Sequence, residues 1–346
     1  MRVRYAIVMG LAALLAIGAG LLAADAPFTK VAEIHVGGAG AFDYLTVDPA
    51  AKRLYLSHAT EVVVIDLSNN TVIGRIADTP GVHGIAVAPG GRLFTSNGRG
   101  NQVSIVDSKT FATLSKVDTG RNPDAIMYEP AKKEVYAFNH TGGSATVIDA
   151  ASGKVTATVP LEGAVETGAA DSSLGKVYVN IEDKDEVMVI DTGTHAVTAK
   201  WPIAPAEGGT GMAIDPSTHR VFVGGDKFLV MLDGQSGKVV SNVPICDGTD
   251  ATSFDPSTKN IFASCSDGHI TVAHMDSPAK LTLVGTITTA RGARTNAVDP
   301  TTHRVYVAAQ DYQPVDPNAA PPAGGGRGRG PAAVPDSLKV LVYGPK

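Results

Sequence analysis

Apolar and polar positions in this chain alternate in short runs, and the runs recur at a near-constant interval. The first copy, Phe42 to Ile76, reads FDYLTVDPAAKRLYLSHATEVVVIDLSNNTVIGRI. It holds an apolar run, an Asp-Pro turn, an RLYL run, a polar turn, a VVVID run and, after an Asn-rich turn, a last run. Runs this short, rich in valine and bounded by Gly, Pro, Asn and Asp, predict strands. Later copies keep the order. The turn-proline slot is filled by Pro49, Pro89, Pro130, Ser172, Pro216, Pro256 and Pro300, spaced by 40, 41, 42, 44, 40 and 44 residues. An interval of about 40 residues built from four short strands marks a β-propeller blade. The predicted fold is therefore all-β, a seven-bladed β-propeller with four-stranded antiparallel blades.

Details of the pattern extend this. Unbroken apolar runs such as Val62 to Ile65 suit strands covered on both faces, as stacked blades require. An aspartate follows the third run in six copies (Asp66, Asp107, Asp149, Asp191, Asp233 and Asp276). Each is expected to accept backbone N–H bonds two residues on, a structural rather than catalytic task. The seventh copy starts at Arg294 and has no fourth run, whereas Thr29 to Val36 stands before the first copy unclaimed. The N-terminal strand is therefore expected to join the last blade, closing the ring and removing two open sheet edges. Residues 313–335 interrupt the seventh copy with a Gly/Pro/Ala-rich insertion carrying Arg327 and Arg329. Its composition predicts disorder, with an arginine-tipped flap as the functional alternative.

Composition and charge narrow the partners. The 29 basic and 34 acidic residues leave a net charge of −5, and aromatics make up 5%. A nucleic-acid footprint needs a basic stripe interleaved with stacking aromatics, so no nucleic-acid partner is expected. Arg2 and Arg4 precede an uncharged, mostly apolar stretch from Ala6 to Leu22, followed by the small residues Ala23 and Ala24. Residues 1–24 thus read as a signal peptide, leaving a propeller domain over 25–346 in the periplasm, secreted or at the cell surface. An uncleaved anchor is the alternative, since the stretch is close to the minimum spanning length. No other segment is apolar enough to span a bilayer, and a monomer is expected. In an oxidising compartment Cys246 and Cys265, at strand ends of adjacent blades, form a disulfide candidate. Two buried thiols are the alternative.

Candidate chemistry lies where the copies differ. Six residues before the turn-proline slot stand Asp43, His83, Asp124, Glu166, Thr210, Asp250 and Arg294. Blade geometry would gather them as a polar collar at one channel mouth, entered by glycine-rich loops. The collar could cap neighbouring loops, hold a divalent cation such as Ca²⁺, or bind a small molecule or peptide with Arg294 and His83 as donors. The loops between second and third strands carry His58, Arg99, Asn101, Asn139, His140, Asp183, Lys184, Asp226, Lys227, Asp267, His269 and Tyr312, expected to form a solvated rim. No C-x-x-C-H, G-x-S-x-G or H-E-x-x-H is present, and a single Trp201 argues against an enclosed quinone. The cofactor is otherwise open.

The DP-x-x-x-R-x-YV and VVVID motifs resemble the exported bacterial YVTN-type β-propeller repeat family (YncE-like). Asp48-Pro49 with Arg53-Leu54-Tyr55-Leu56, Asp215-Pro216 with Arg220-Val221-Phe222-Val223, and Asp299-Pro300 with Arg304-Val305-Tyr306-Val307 carry the likeness. The resemblance implies a seven-bladed periplasmic or surface-exposed propeller and no particular reaction. The fourth copy departs most, with Asp171-Ser172-Ser173-Leu174 at its turn. The expected function is a non-enzymatic binding scaffold with its ligand at the collar. A lactonase-like or metal-assisted hydrolase using the same collar, and a structural envelope protein, are the alternatives.

Overall fold

The computed structural model describes residues 26–38, 40–314 and 332–346. These form seven four-stranded antiparallel sheets. Blade 1 runs from its inner to its outer strand as Phe42–Asp48, Arg53–His58, Glu61–Asp66 and Thr71–Ile76. Blades 2 to 6 repeat that order from inner strands beginning at Val82, Pro123, Val165, Glu207 and Thr249. Blade 7 contains Asn296–Asp299, Arg304–Ala309 and Lys339–Pro345, and its outer strand is Phe28–His35 from the N-terminal side. The pairing runs from Phe28 opposite Pro345 to His35 opposite Lys339. Each inner strand touches the next, and that of blade 7 touches that of blade 1, so the ring is closed.

Strand sequence explains the packing. Second and third strands are almost wholly buried, whereas outer strands such as Thr71–Ile76 alternate between exposed and covered residues. Every second strand places an aromatic at its third position: Tyr55, Phe94, Tyr136, Tyr178, Phe222, Phe262 and Tyr306, each no more than 1% exposed. Buried apolar residues gather into seven clusters, each drawing on two neighbouring blades. Each seam therefore has its own core, and each blade depends on both neighbours.

Five of the turns after the inner strands are built alike. Asp48, Asp171, Asp215, Asp255 and Asp299 each accept a backbone N–H from two or three residues on. The fourth copy follows the same geometry, and Ser172 in the proline slot donates its hydroxyl to Glu129 of blade 3. The residue closing each such turn adopts a left-handed backbone, with φ of 53° at Lys52, 56° at His219, 58° at Lys259 and 57° at His303. Three of these side chains reach back to the preceding blade. His219 Nδ1 lies 2.7 Å from Asp171, Lys259 Nζ 3.2 Å from Asp215, and His303 Nδ1 2.7 Å from Asp255.

These pins have an acid signature. Burial alone would raise the Asp171, Asp215 and Asp255 carboxyls, but hydrogen bonds from turn hydroxyls and the paired His219, Lys259 and His303 hold them below the ordinary range. A depressed folded pKa contributes stability that is complete above the unfolded value of about 3.9 and lost as pH falls through the folded value. The urea midpoint should accordingly fall steeply below about pH 4, and Asp171→Asn with Asp255→Asn should flatten that fall. An unchanged pH slope in the double variant would exclude the pins as its source.

Three expectations need amendment or placing. Asp66, Asp107, Asp149, Asp191 and Asp233 accept backbone N–H bonds in their turns, but Asp276 does not. It lies inside the strand His269–Ser277 and binds the side chains of His274, Thr282 and Lys280, because this hairpin turns later, pairing Ser277 with Lys280. His58 and Asn139 are buried rather than solvated. Asn139 donates to the hydroxyls of Ser144 and Thr146 at 3.0 Å each, and His58 packs under the Gly38 loop. The signal peptide read over 1–24 and residues 315–331 of the 313–335 insertion lie outside the described residues. At the insertion's base Gln313 N–H donates to Ala332 and Val334 N–H to Asp311. Among the described residues no helix is long and apolar enough to cross a membrane.

Candidate functional site

Each of the first six inner strands breaks register at its collar residue. The shifts fall between Phe42 and Leu45, Val82 and Ile85, Pro123 and Ile126, Val165 and Gly168, Glu207 and Gly211, and Thr249 and Ala251. An unpaired residue in an antiparallel ladder bends the strand and re-aims a side chain. Hydroxyls from adjoining blades secure the collar's main chain. Ser96 donates to the Asp124 carbonyl, Thr167 to Thr210, Ser264 to Arg294, and Thr295 to Asp43 at 2.8 Å. The backbone is thereby satisfied within the ring, and the side chains are left for the mouth.

Five collar residues form a continuous chain of charged contacts. His83 Nδ1 is 2.6 Å from Asp43 Oδ2 and 3.7 Å from Asp124 Oδ1. Arg294 Nε donates to Asp250, and its Nη2 lies 3.9 Å from Asp43 Oδ1. Glu166, buried, stands 2.9 Å from His140 Nδ1. Thr210 does not join the acids. Its hydroxyl donates to the Thr249 carbonyl at 2.6 Å, closing the seam between blades 5 and 6.

Burial and crowding set the charge states. Burial alone would lower His83, but the Asp43 hydrogen bond and the Asp124 charge outweigh it and raise the imidazole to about 9. Asp124 is pushed up to about 8, chiefly by burial, with Asp43 and Glu166 adding to it and His83 opposing. Burial also raises Asp250 to about 6 against the pull of Arg294. The hydrogen bond to Glu166 lifts His140 to about 9. The mouth thus offers cationic donors beside acidic acceptors. Two groups of three N and O donors have ligand atoms within 4.8 Å of one another: Asp43, His83 and Asp124, and His140, Glu166 and Glu182.

Beneath the collar the channel narrows to a cavity of about 160 Å³ among Tyr44, Phe138 and Met212. Beside the collar a larger cleft of about 1090 Å³ opens between blades 6 and 7. Arg294 lines this cleft as well as the collar, together with Arg291, Gln310, Tyr312, Asp247 and Asp267. Gln310 is 4% exposed and its Nε2 has no hydrogen-bond partner. Cys246 and Cys265 are joined by a disulfide with Cα atoms 5.8 Å apart. The bond ties together the two loops, Asp247-Gly248 and Ser266-Asp267, that wall the cleft.

The sequence pattern assigned His140 to the solvated rim and singled out neither Glu182 nor Gln310. His140 and Glu182 come from the segments between second and third strands of blades 3 and 4, and His140 meets Glu166 across the seam between these blades. For Gln310 a signal existed, a lone amide ending the otherwise apolar VYVAA strand.

No family model matches the chain. It is 26% identical over 147 residues to the uncharacterized protein YncE of Salmonella typhi, covering 40% of this chain and 41% of that protein. YncE of Salmonella typhimurium (strain LT2) matches at 25% identity with the same coverage, so the chain spans about two fifths of the length of these curated relatives. Among solved structures, a chain of Kuenenia stuttgartiensis hydrazine synthase superposes with a TM-score of 0.68 at 17% identity, over 84% of this chain and 95% of that one. A chain of the mitotic checkpoint complex gives 0.70 at 14% identity, over 89% and 96%. Likenesses at such identities concern the fold alone. The ring of seven sheets makes the chain a seven-bladed β-propeller, and the matched stretch makes it similar to YncE over about two fifths of that protein's length.

Proposed function

We propose that this propeller is an exported, non-enzymatic binding scaffold whose ligand is a small polar molecule carrying a carboxylate, seated in the cleft beside the collar. One observation carries the reading. The cleft between blades 6 and 7 is lined by Arg291, Arg294 and buried Gln310, whose amide nitrogen has no hydrogen-bond partner among the described residues. A buried donor without a partner costs about 1–3 kcal/mol, a penalty removed if the amide turns toward an acceptor group on a ligand in the cleft. Large clefts with a few convergent polar groups are where small ligands bind. The Cys246–Cys265 bond supports placement in the periplasm or at the cell surface, where disulfides persist.

Thermal-shift and calorimetric titration with free dicarboxylates, amino acids and sugar acids tests the reading. At least one should bind the full protein, and Arg291→Ala should weaken it about 10-fold or more, the loss expected for a charged hydrogen bond. Binding unaffected by Arg291→Ala and Gln310→Leu would overturn the site. Lactone turnover abolished by His83→Ala would replace the scaffold with a hydrolase.

A further inference from the structure

We infer that Asp43, His83 and Asp124 form a binding site for a first-row divalent transition metal, of which Zn²⁺ is the best match. The three residues occupy the same slot on blades 1, 2 and 3, and each offers one atom to a common point. Metal bonds of about 2.0–2.2 Å place neighbouring ligand atoms about 3.0–3.5 Å apart. The His83 Nδ1 distances of 2.6 Å to Asp43 and 3.7 Å to Asp124 bracket that spacing, so small side-chain shifts suffice.

The surroundings hold the ligands in place. Asp43 N–H donates to the Ser57 hydroxyl oxygen at 3.0 Å, and the Asp43 carbonyl accepts from the Thr295 hydroxyl. Ser96 holds the Gly84 N–H at 2.8 Å, directly after His83, and also donates to the Asp124 carbonyl. One hydroxyl thus fixes the main chain at two ligands.

Gly98 makes room for the histidine. A Cβ there would stand 2.6 Å from His83 Nε2 and 2.5 Å from Asn122 Oδ1. Gly98 opens a single 3₁₀ turn and is not among the residues of positive φ, so its backbone does not require glycine. Its missing side chain instead lets the ring sit with Nδ1 between the two carboxylates. Rigid support behind a ligand imidazole is a usual feature of metal sites.

The donor set selects the ion. Ca²⁺ and Mg²⁺ take oxygen ligands, whereas an imidazole with two carboxylates and no sulfur suits Zn²⁺ or a neighbouring first-row ion. Three protein ligands leave a coordination position open to the mouth.

The test uses the full-length, disulfide-bonded protein after dialysis against chelator, titrated with Co²⁺ as a visible probe and then with Zn²⁺ as competitor. One Co²⁺ per chain should bind with a d–d absorption band, and Zn²⁺ should displace it. Asp43→Asn with Asp124→Asn should weaken binding by about 10-fold or more, as should Gly98→Ala with all three ligands retained. His140→Ala, in the second donor group, and Arg291→Ala, in the cleft, should leave the band unchanged, which separates this inference from the cleft reading. Should Gly98→Ala fail to fold, the Asn pair, which preserves side-chain size, decides. Absence of stoichiometric binding, a band that survives the Asn pair, or a band lost in His140→Ala instead would overturn the assignment.

Discussion

Deleting the strand Phe28–His35 is expected to abolish cooperative folding of the whole ring. That strand pairs along its length with Lys339–Pro345, and its removal would leave blade 7 with three strands and an open edge. It also removes core from two seams. Phe28 packs edge-on against Phe262 of blade 6 with ring centroids 5.3 Å apart, and Ile34 joins Leu54, Leu56 and Val63 of blade 1. Truncating one buried phenylalanine costs about 3–5 kcal/mol and one isoleucine about 2–5, so together they approach the about 5–15 kcal/mol of net stability typical of a domain. Because each seam has its own core cluster, no other part of the ring compensates. Trp201 is the only tryptophan and sits on the outer strand of blade 4, away from the closure. Its fluorescence should nevertheless report the loss, with a broad, early thermal transition. A Trp201 melt unchanged by the deletion would show that closure stabilises blade 7 alone.

Loss of the Cys246–Cys265 bond carries the next largest expected effect. The two cysteines are 19 residues apart in sequence and join blade 5 to blade 6. Chain-entropy estimates for a loop of about 20 residues give about 3 kcal/mol of stabilisation, acting mainly through the unfolded state. Cys246→Ser with Cys265→Ser should therefore lower the urea midpoint at pH 7, and wild-type protein in reductant should follow it. The loops on either side of the cleft would also lose their tie, so carboxylate binding should weaken along with stability. An unchanged midpoint would mean that the native packing, rather than the bond, holds these loops together.

The repeat was readable because every blade solves the same local problem. Strand valines, the aromatic at the third position of each second strand, and the turn aspartates recur for physical reasons internal to one blade. Asp276 shows where that logic stops. Its hairpin turns later, and the same residue binds side chains instead of backbone. The collar slot was readable as a varying position, since Asp43, His83, Asp124 and Arg294 stand at the same offset in their copies. Their partners were not. Asp43 meets residues 40 and 251 positions further along the chain, in His83 and Arg294. The partner of Glu166 is His140, from a slot that the pattern assigns to the rim.

By itself, then, the sequence determined the number of blades, the order of their strands and the need for the N-terminal strand to close them. These follow from periodicity and turn chemistry, which act over a few residues. The tertiary structure alone decided which carboxylate faces His83, why Gly98 carries no side chain, and that Gln310, lining the same cleft as Arg294, is buried with its amide nitrogen unpartnered. Those facts depend on how adjacent blades meet, and contacts across a seam join residues too distant in the chain for any local pattern to record them.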